Sequence, residues 1–217
     1  FNGTSNYILS SMDKEKKNFD DVLKKAKNLG YAESNPSADL NGEDVASKLK
    51  ILSSLCFNSF LNNKVYVEGI NQIDKIDIDN ANNLGYKIKL LGFAELYNNK
   101  IYQRVHPTLI KKDSYAASID GVLNAVIVDG KPVGQSIIQG EGAGPAATTS
   151  ALISDISSIL RGNIKFPFSL SSKERKSLKF DNINERYFSS YFRFEVMDRS
   201  GVLSNITNVF SKNRVSI

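Results

Sequence analysis

Apolar residues recur at helical spacing through the first part of the chain. This spacing predicts one helix over residues 13–29, a second that begins after Asn41, and a short third over residues 77–84. The expected apolar faces are Phe19, Val22, Leu23 and Ala26 in the first helix, and Val45, Leu49, Leu52 and Cys56 in the second.

The pattern changes to alternation near residue 86, which predicts strands joined by tight turns. The expected strands are 86–96, 101–110, 122–128 and 133–138, with turns at 98–100 and Asp129–Gly130. A glycine-rich loop at 140–145 then opens a helix over 146–160. The predicted class is α+β: a mixed, largely hairpin-built sheet with helices packed on one face.

The last part of the chain has a separate pattern. Residues 163–190 are charged with few periodic apolar positions, which predicts a linker. After it we expect a strand at 191–197, a turn, a helix at 202–210 and a new strand from Val215. A βαβ unit that stops one strand in cannot bury its faces, and Phe1 lies inside a patterned segment, so we expect a longer protein.

Composition excludes several classes of protein. Residues 1–160 carry 17 Lys and Arg against 18 Asp and Glu, and the remainder carries 11 against 5, so the basic excess is confined to the end and disfavours a nucleic-acid partner. One cysteine and one histidine exclude disulfides, cysteine-ligated metal clusters and paired-histidine zinc motifs. No apolar run reaches about 20 residues, which favours the cytoplasm without a membrane partner.

Charged residues concentrate in the segment GYAESNPSADLNGEDVASKL, which spans residues 30–49. Asp44 and Lys48 are four apart on the predicted helix and share one surface, while Glu33 and Asp39 lie in the preceding loop. Such a group can bind an amino group and supply a proton. A structural explanation is also open, because Asp44 can cap the helix or form a surface pair with Lys48.

Two other segments contain candidate ligand-binding residues. The loop Gly140-Glu-Gly-Ala-Gly144 follows a strand and precedes a helix, where backbone N–H groups can approach a phosphate. Glu141 argues against that role, and a packing turn is the alternative. The opening segment, residues 2–7, has small polar residues that either contact a ligand or cap a helix.

These segments, in this order, resemble homoserine dehydrogenase. The opening NGTSNYIL is similar to that family's NGT-x-NYIL segment, and residues 30–49 are similar to its signature. The stretches IKLLGFAEL, VHPTLI, LNAVIVDG and GEGAGPAATTSALISDI follow at family-like distances. The resemblance covers residues 1–162.

The resemblance implies an enzyme that interconverts L-aspartate 4-semialdehyde and L-homoserine with NADP or NAD, in threonine, methionine and isoleucine biosynthesis. Residues 1–162 would be the substrate-binding and dimerisation domain of a homodimer or higher homo-oligomer. Lys48 would be the proton donor and Asp44 its acid–base partner. The implied substrate-binding residues are Glu33, Asp39, Gly3, Thr4 and Tyr31, and the implied cofactor-binding residues are Gly140, Glu141, Gly142 and Gly144.

The sequence departs from the family pattern at Ala38, where some members have a second acid, and at Glu141, where proline is common. The nucleotide-binding Rossmann half, a further catalytic lysine and a monovalent-cation site belong upstream in the family, so we expect this chain alone to be inactive. Residues 191–217 resemble the start of an ACT regulatory domain, which implies a threonine-type effector. The alternative is a non-catalytic module that dimerises and senses amino acids.

Overall fold

The computed structural model describes residues 2–62, 64–163, 171, 173–181 and 186–217. Residues 1–185 form one compact unit and residues 186–217 a second. The helices are α1 Gly3–Glu15, α2 Phe19–Asn28, α3 Ser37–Leu40, α4 Glu43–Phe57, α5 Lys75–Asn83, α6 Tyr115–Ser118, α7 Pro145–Leu160 and α8 Val202–Lys212. The strands are β1 Tyr66–Val67, β2 Tyr86–Tyr97, β3 Lys100–Lys111, β4 Leu123–Gly130, β5 Gly134–Glu141 and β6 Lys179–Phe180.

Two antiparallel hairpins form most of the strand structure, which confirms the mixed helix and strand class. In β2–β3 the register runs from Tyr86 opposite Lys111 to Tyr97 opposite Lys100, around a turn in which Asn98 and Asn99 both have positive φ. That backbone matches the twist of the strands, and asparagine tolerates it. The strands lie in two sheets rather than one: β1 and β6 pair with β3 in the first, and β4–β5 is the second.

Helix α4 packs on the first sheet at a glycine. A Cβ atom on Gly92 of β2 would lie 3.0 Å from Val45 Cγ1 and 3.5 Å from Leu49 Cδ1, so the missing side chain permits this close approach. The prediction was wrong for Leu52 and Cys56, which are exposed. Ser53 and Ser54 are buried in their place, because their hydroxyls donate to Leu49 O and Lys50 O and so lose little on burial.

The first two helices replace the single helix expected over residues 13–29. Helix α1 begins at Gly3, and Lys16 takes a left-handed conformation with φ 55° that ends it before α2 starts. The predicted faces hold within α2, where Val22 and Ala26 are buried and Phe19 and Leu23 pack against them. The buried surface of α1 is largely polar, which is why apolar spacing did not reveal it: Thr4, Ser5, Asn6, Ser10 and Ser11 are buried together with Ile8, Leu9 and Met12.

A buried lysine ties α1 to the first sheet. Lys89 on β2 is 1% exposed, and its Nζ donates to Asn6 Oδ1 at 2.8 Å, Ile119 O at 2.6 Å and Asp120 Oδ1 at 2.8 Å. Burial lowers the pKa of Lys89 despite the carboxylate beside it. Burial alone would raise the pKa of Asp120, but Lys89, with Lys14 and Lys87, lowers it to about 2.

The second unit contains α8, which confirms the helix predicted at 202–210. Phe210 of α8 packs on Phe192 and Phe194, with ring centroids 5.7 and 6.1 Å away. Within residues 186–217 no strand forms at 191–197 or from Val215, so those two predictions were wrong. Residues 191–197 and 215–217 lie outside helix and strand.

The predicted linker lies partly outside the described residues, at 164–170, 172 and 182–185. In the part that the structure describes, Leu178 is buried, and β6 pairs with β3 in parallel register. The predicted domain boundaries stay predictions. Among the described residues, no helix has the length and apolar character needed to cross a bilayer.

We predict that Asp120→Asn destabilises the fold by about 3–5 kcal/mol at neutral pH, because it leaves the buried Lys89 charge without its partner. The pKa of Asp120 in the folded chain is about 2, below its ordinary value of 3.8. The carboxylate therefore stabilises the fold above pH 4, and that stabilisation is lost as the pH falls toward 2. Urea titrations between pH 2 and 7 measure both effects.

The matched control is Asp113→Asn, which changes an exposed carboxylate on the same β3–β4 connection. It should leave the free energy of unfolding nearly unchanged. An Asp120→Asn protein as stable as this control, with the same acid dependence, would contradict the prediction.

Candidate active site

A tight turn lies between α3 and α4, with one carboxylate on each side of it. Asp39 lies in α3, Asp44 in the first turn of α4, and Gly42 between them has φ 83°. A Cβ atom at Gly42 would lie 3.1 Å from both Val105 Cγ1 and Val67 Cγ1. The signature therefore contains glycine here because the turn is left-handed and presses against the sheet.

Asn2 joins the two carboxylates. Its Nδ2 donates to Asp39 Oδ1 at 2.8 Å and to Asp44 Oδ2 at 2.7 Å, and its Oδ1 accepts from Ser5 N at 2.9 Å as the N-cap of α1. Ser5 Oγ also donates to Asp39 O at 2.8 Å. The N-terminus of α1 is thus fixed against both α3 and α4.

Asp44 and Lys48 form the predicted pair. Lys48 Nζ lies 2.7 Å from Asp44 Oδ2, and the lysine side chain is 51% exposed. Burial works to raise the pKa of Asp44, but hydrogen bonds from Lys48 and Asn2 outweigh burial and lower it, so the carboxyl is ionised at neutral pH.

The structure separates the two explanations left open for Asp44. The N-cap of α4 is Gly42, and no side chain caps that helix end. Asp44 instead accepts a hydrogen bond from Asn2, which is 42 residues away along the chain. Capping by Asp44 is excluded, and its pair with Lys48 is the pair expected within one helix. Asp44 is held in addition by Asn2.

The loop after α2 carries Tyr31 and Glu33. Thr4 Oγ1 donates to Tyr31 O at 2.9 Å, and the Tyr31 ring lies 4.9 Å from that of Tyr7 with its side chain largely exposed. Glu33 is exposed and, among the described residues, forms no ion pair or side-chain hydrogen bond. Thr4 and Tyr31 are thus in contact at the start of α1, while the Glu33 carboxylate has none of these contacts among the described residues.

The glycine-rich loop is connected to the start of α1 by Asn124. A Cβ atom on Gly3 would lie 3.1 Å from Val122 O and 3.4 Å from Asn124 Nδ2. A Cβ atom on Gly142 would overlap the same side chain, 2.6 Å from Asn124 Cγ. Gly3 and Gly142 therefore flank one asparagine, and neither has room for a larger residue.

The remaining loop residues are open to solvent. No atom lies within 4 Å of a Cβ built on Gly140 or Gly144, and Glu141 is exposed. Gly144 is the N-cap of the sixteen-residue helix α7, and it provides no capping side chain. The first N–H groups of α7 are thus available to an acceptor, as a phosphate site requires.

The structure thus gathers five of the eleven predicted site residues into two groups that meet at residues 2 and 3. One group consists of Asp39, Asp44 and Lys48, and the other of Gly3 and Gly142. Sequence reasoning missed Asn2 and Asn124 as the residues that hold these groups. Their only signal was residue type, since their partners lie far away along the chain.

Comparisons with known proteins identify the family. The sequence profile described as homoserine dehydrogenase matches residues 1–157. A homoserine dehydrogenase of Helicobacter pylori is 41% identical over the whole chain, which covers 51% of that protein. A crystal structure of a homoserine dehydrogenase from Thiobacillus denitrificans superposes with a TM-score of 0.83 at 37% identity, over 97% of this chain and 50% of the other.

A structure of a hyperthermophilic archaeal homoserine dehydrogenase mutant in complex with NADPH is also similar, with 28% identity and a TM-score of 0.60. It is matched over 74% of this chain and 46% of the archaeal chain. This chain therefore spans about half the length of the relatives that it matches. The profile match, the identity and the common fold together show that the chain belongs to the homoserine dehydrogenase family.

Proposed function

We propose that this chain is the substrate-binding half of an NAD(P)H-dependent homoserine dehydrogenase, which interconverts L-aspartate 4-semialdehyde and L-homoserine in threonine, methionine and isoleucine biosynthesis. The observation that carries the proposal is the Lys48–Asp44 pair, joined through Asn2 to Asp39. An amine and two carboxylates are thereby held at one helix junction. That is the set of groups that an amino-acid aldehyde requires.

In the reduction, Lys48 donates a proton to the aldehyde oxygen as negative charge develops there. The ionised Asp44 accepts a hydrogen bond from Lys48 and so orients its ammonium group. Asp39 and Glu33 hold the substrate's ammonium group at the other end, with Gly3, Thr4 and Tyr31 lining the site. Holding both ends fixes the carbonyl carbon in place for reaction.

The glycine-rich loop fits a dinucleotide phosphate. Its glycines carry no side chains, and the uncapped N-terminus of α7 provides N–H donors. Gly140, Gly142 and Gly144 would hold the cofactor, with Glu141 at its edge. That the cofactor is a nicotinamide dinucleotide is supported by the NADPH complex of the archaeal relative. The bound nicotinamide supplies the hydride.

Three further parts of the proposal concern assembly, location and regulation. A homodimer or higher homo-oligomer is supported by the exposed Phe93, Tyr97 and Phe180 on the first sheet. The exposed free thiol of Cys56 suits the reducing cytoplasm. An ACT-type domain with a threonine-type effector is supported by the turn at 198–201, which leads directly into α8.

The first test replaces the proton donor. In a complete enzyme, meaning this chain joined to a nucleotide-binding half, Lys48→Ala should lower kcat for semialdehyde reduction by roughly 10²–10⁴-fold while circular dichroism shows an intact fold. Lys50→Ala, two residues along the same helix, should retain the parent rate. A Lys48→Ala enzyme with near-normal turnover would overturn the assignment.

The second test concerns the ammonium group. Glu33→Gln should raise KM for the semialdehyde by roughly tenfold or more, since it removes a charged hydrogen bond worth about 1.5–3 kcal/mol. kcat should change little. Glu43→Gln is the matched control on an exposed carboxylate of α4. If KM rises equally in both variants, Glu33 has no specific contact with the substrate.

The third test concerns the cofactor loop. Gly142→Ala should raise KM for NAD(P)H, because the added methyl group displaces Asn124 and with it the loop. Adding Asn124→Ala to that variant should restore part of the loss. Gly130→Ala, at the far end of the same hairpin and in open space, is the control. An unchanged KM in Gly142→Ala would place the cofactor elsewhere.

A further inference from the structure

Asn2 makes more contacts than a helix cap requires. It is 4% exposed, and its oxygen caps α1 while both of its N–H donors bind carboxylates, those of Asp39 and Asp44. Serine, threonine and aspartate cap helices equally well through an oxygen. Of the favoured capping side chains, only asparagine also donates two hydrogen bonds.

The two carboxylates need a donor between them. Their oxygens lie 2.8 and 2.7 Å from the same nitrogen, so they cannot be farther apart than the sum of those distances. Like charges this close disfavour ionisation of each other. The charged groups that contact Asp44 are Lys48 from its own helix and, across the Asn2 amide, Asp39 from α3.

We propose that Asn2 is a positioning residue: it holds the carboxylates of Asp39 and Asp44 in fixed relation, so that the ammonium-binding group and the partner of Lys48 stay together. This inference rests on the proposed function. It adds a residue that acts on the substrate only through the two aspartates. The hydrogen bond from Asn2 is one of the two that lower the pKa of Asp44.

The test uses two substitutions that retain the helix cap. Asn2→Asp is isosteric and still accepts from Ser5 N, but it places a third carboxylate against Asp39 and Asp44. The added carboxylate raises the pKa of Asp44, so the acid limb of the kcat/KM profile of the complete enzyme should move upward by about one pH unit or more. At a pH below this limb, the shift lowers kcat/KM by about tenfold. Asn2→Ser removes the donors without adding charge, so its limb should move less, in the same direction.

Ser5→Ala is the matched control. It removes a hydrogen bond of the same α1–α3 junction, from a fully buried side chain to the backbone oxygen of Asp39, without touching a carboxylate. It should lower the melting temperature and leave the acid limb in place. If Asn2→Asp does not fold, the comparison of Asn2→Ser with Ser5→Ala decides the question.

The proposal is overturned if the Asn2 variants lose activity with the acid limb unmoved, or if Ser5→Ala moves the limb equally. Either result would mean that Asn2 acts only as the N-cap of α1. Failure of the proposed function has a different signature, since the parent enzyme would then show no semialdehyde reduction. In that case ¹³C NMR titration of the Asp44 carboxyl, in the parent and in Asn2→Ser, still measures whether Asn2 lowers its pKa.

Discussion

A helix buried through its polar side chains is the constraint on which the candidate site depends. Buried polar groups must be hydrogen-bonded, so each such residue of α1 fixes the segment that partners it. Asn2 fixes the α3–α4 turn, and Thr4 fixes the loop at Tyr31. Asn6 accepts from Lys89 and donates to Ile119 O and Leu123 O, which fixes the start of β4. The acid cluster and the glycine-rich loop are thereby both positioned by one element, helix α1.

The sequence predicts both hairpins because their information is local, but the second turn was predicted wrongly: Asp129 and Gly130 end β4, and the turn lies at residues 131–133. Alternation sets each strand, and the Asn98–Asn99 turn sets the β2–β3 register. Helix α1 escaped prediction because five of its eight buried positions are serine, threonine or asparagine, which apolar periodicity does not register. The same limit explains α4, where Ser53 and Ser54 face inward. In both helices a hydroxyl or amide with a nearby partner is buried as readily as an apolar group.

The candidate site divides in the same way. Asp44 and Lys48 are neighbours through helix geometry, so their spacing alone predicts the contact. The contacts of Asn2 reach across 37 and 42 residues of the sequence. Asn124 lies between Gly3 of α1 and Gly142 of the glycine-rich loop. Only the folded chain reveals these contacts. The strand expected at 191–197 failed for a related reason. Its alternating pattern is suitable, but alternation does not encode the neighbour along the sheet that defines a strand.

Two lysine–aspartate pairs in this fold differ in the burial of the lysine and in how many of its N–H donors are used. Lys89 is enclosed, and all three of its N–H donors are used by Asn6, Ile119 and Asp120, so it has no donor left for a ligand. Lys48 is half exposed, and within the described residues its ammonium has one hydrogen-bonding partner, Asp44. A helical surface pair of this kind contributes only about 0.3–0.5 kcal/mol to stability. The hydrogen bond that Asp44 accepts from the buried Asn2 adds about 1.5–3 kcal/mol, and under the proposed function it also holds the partner of the proton donor in position.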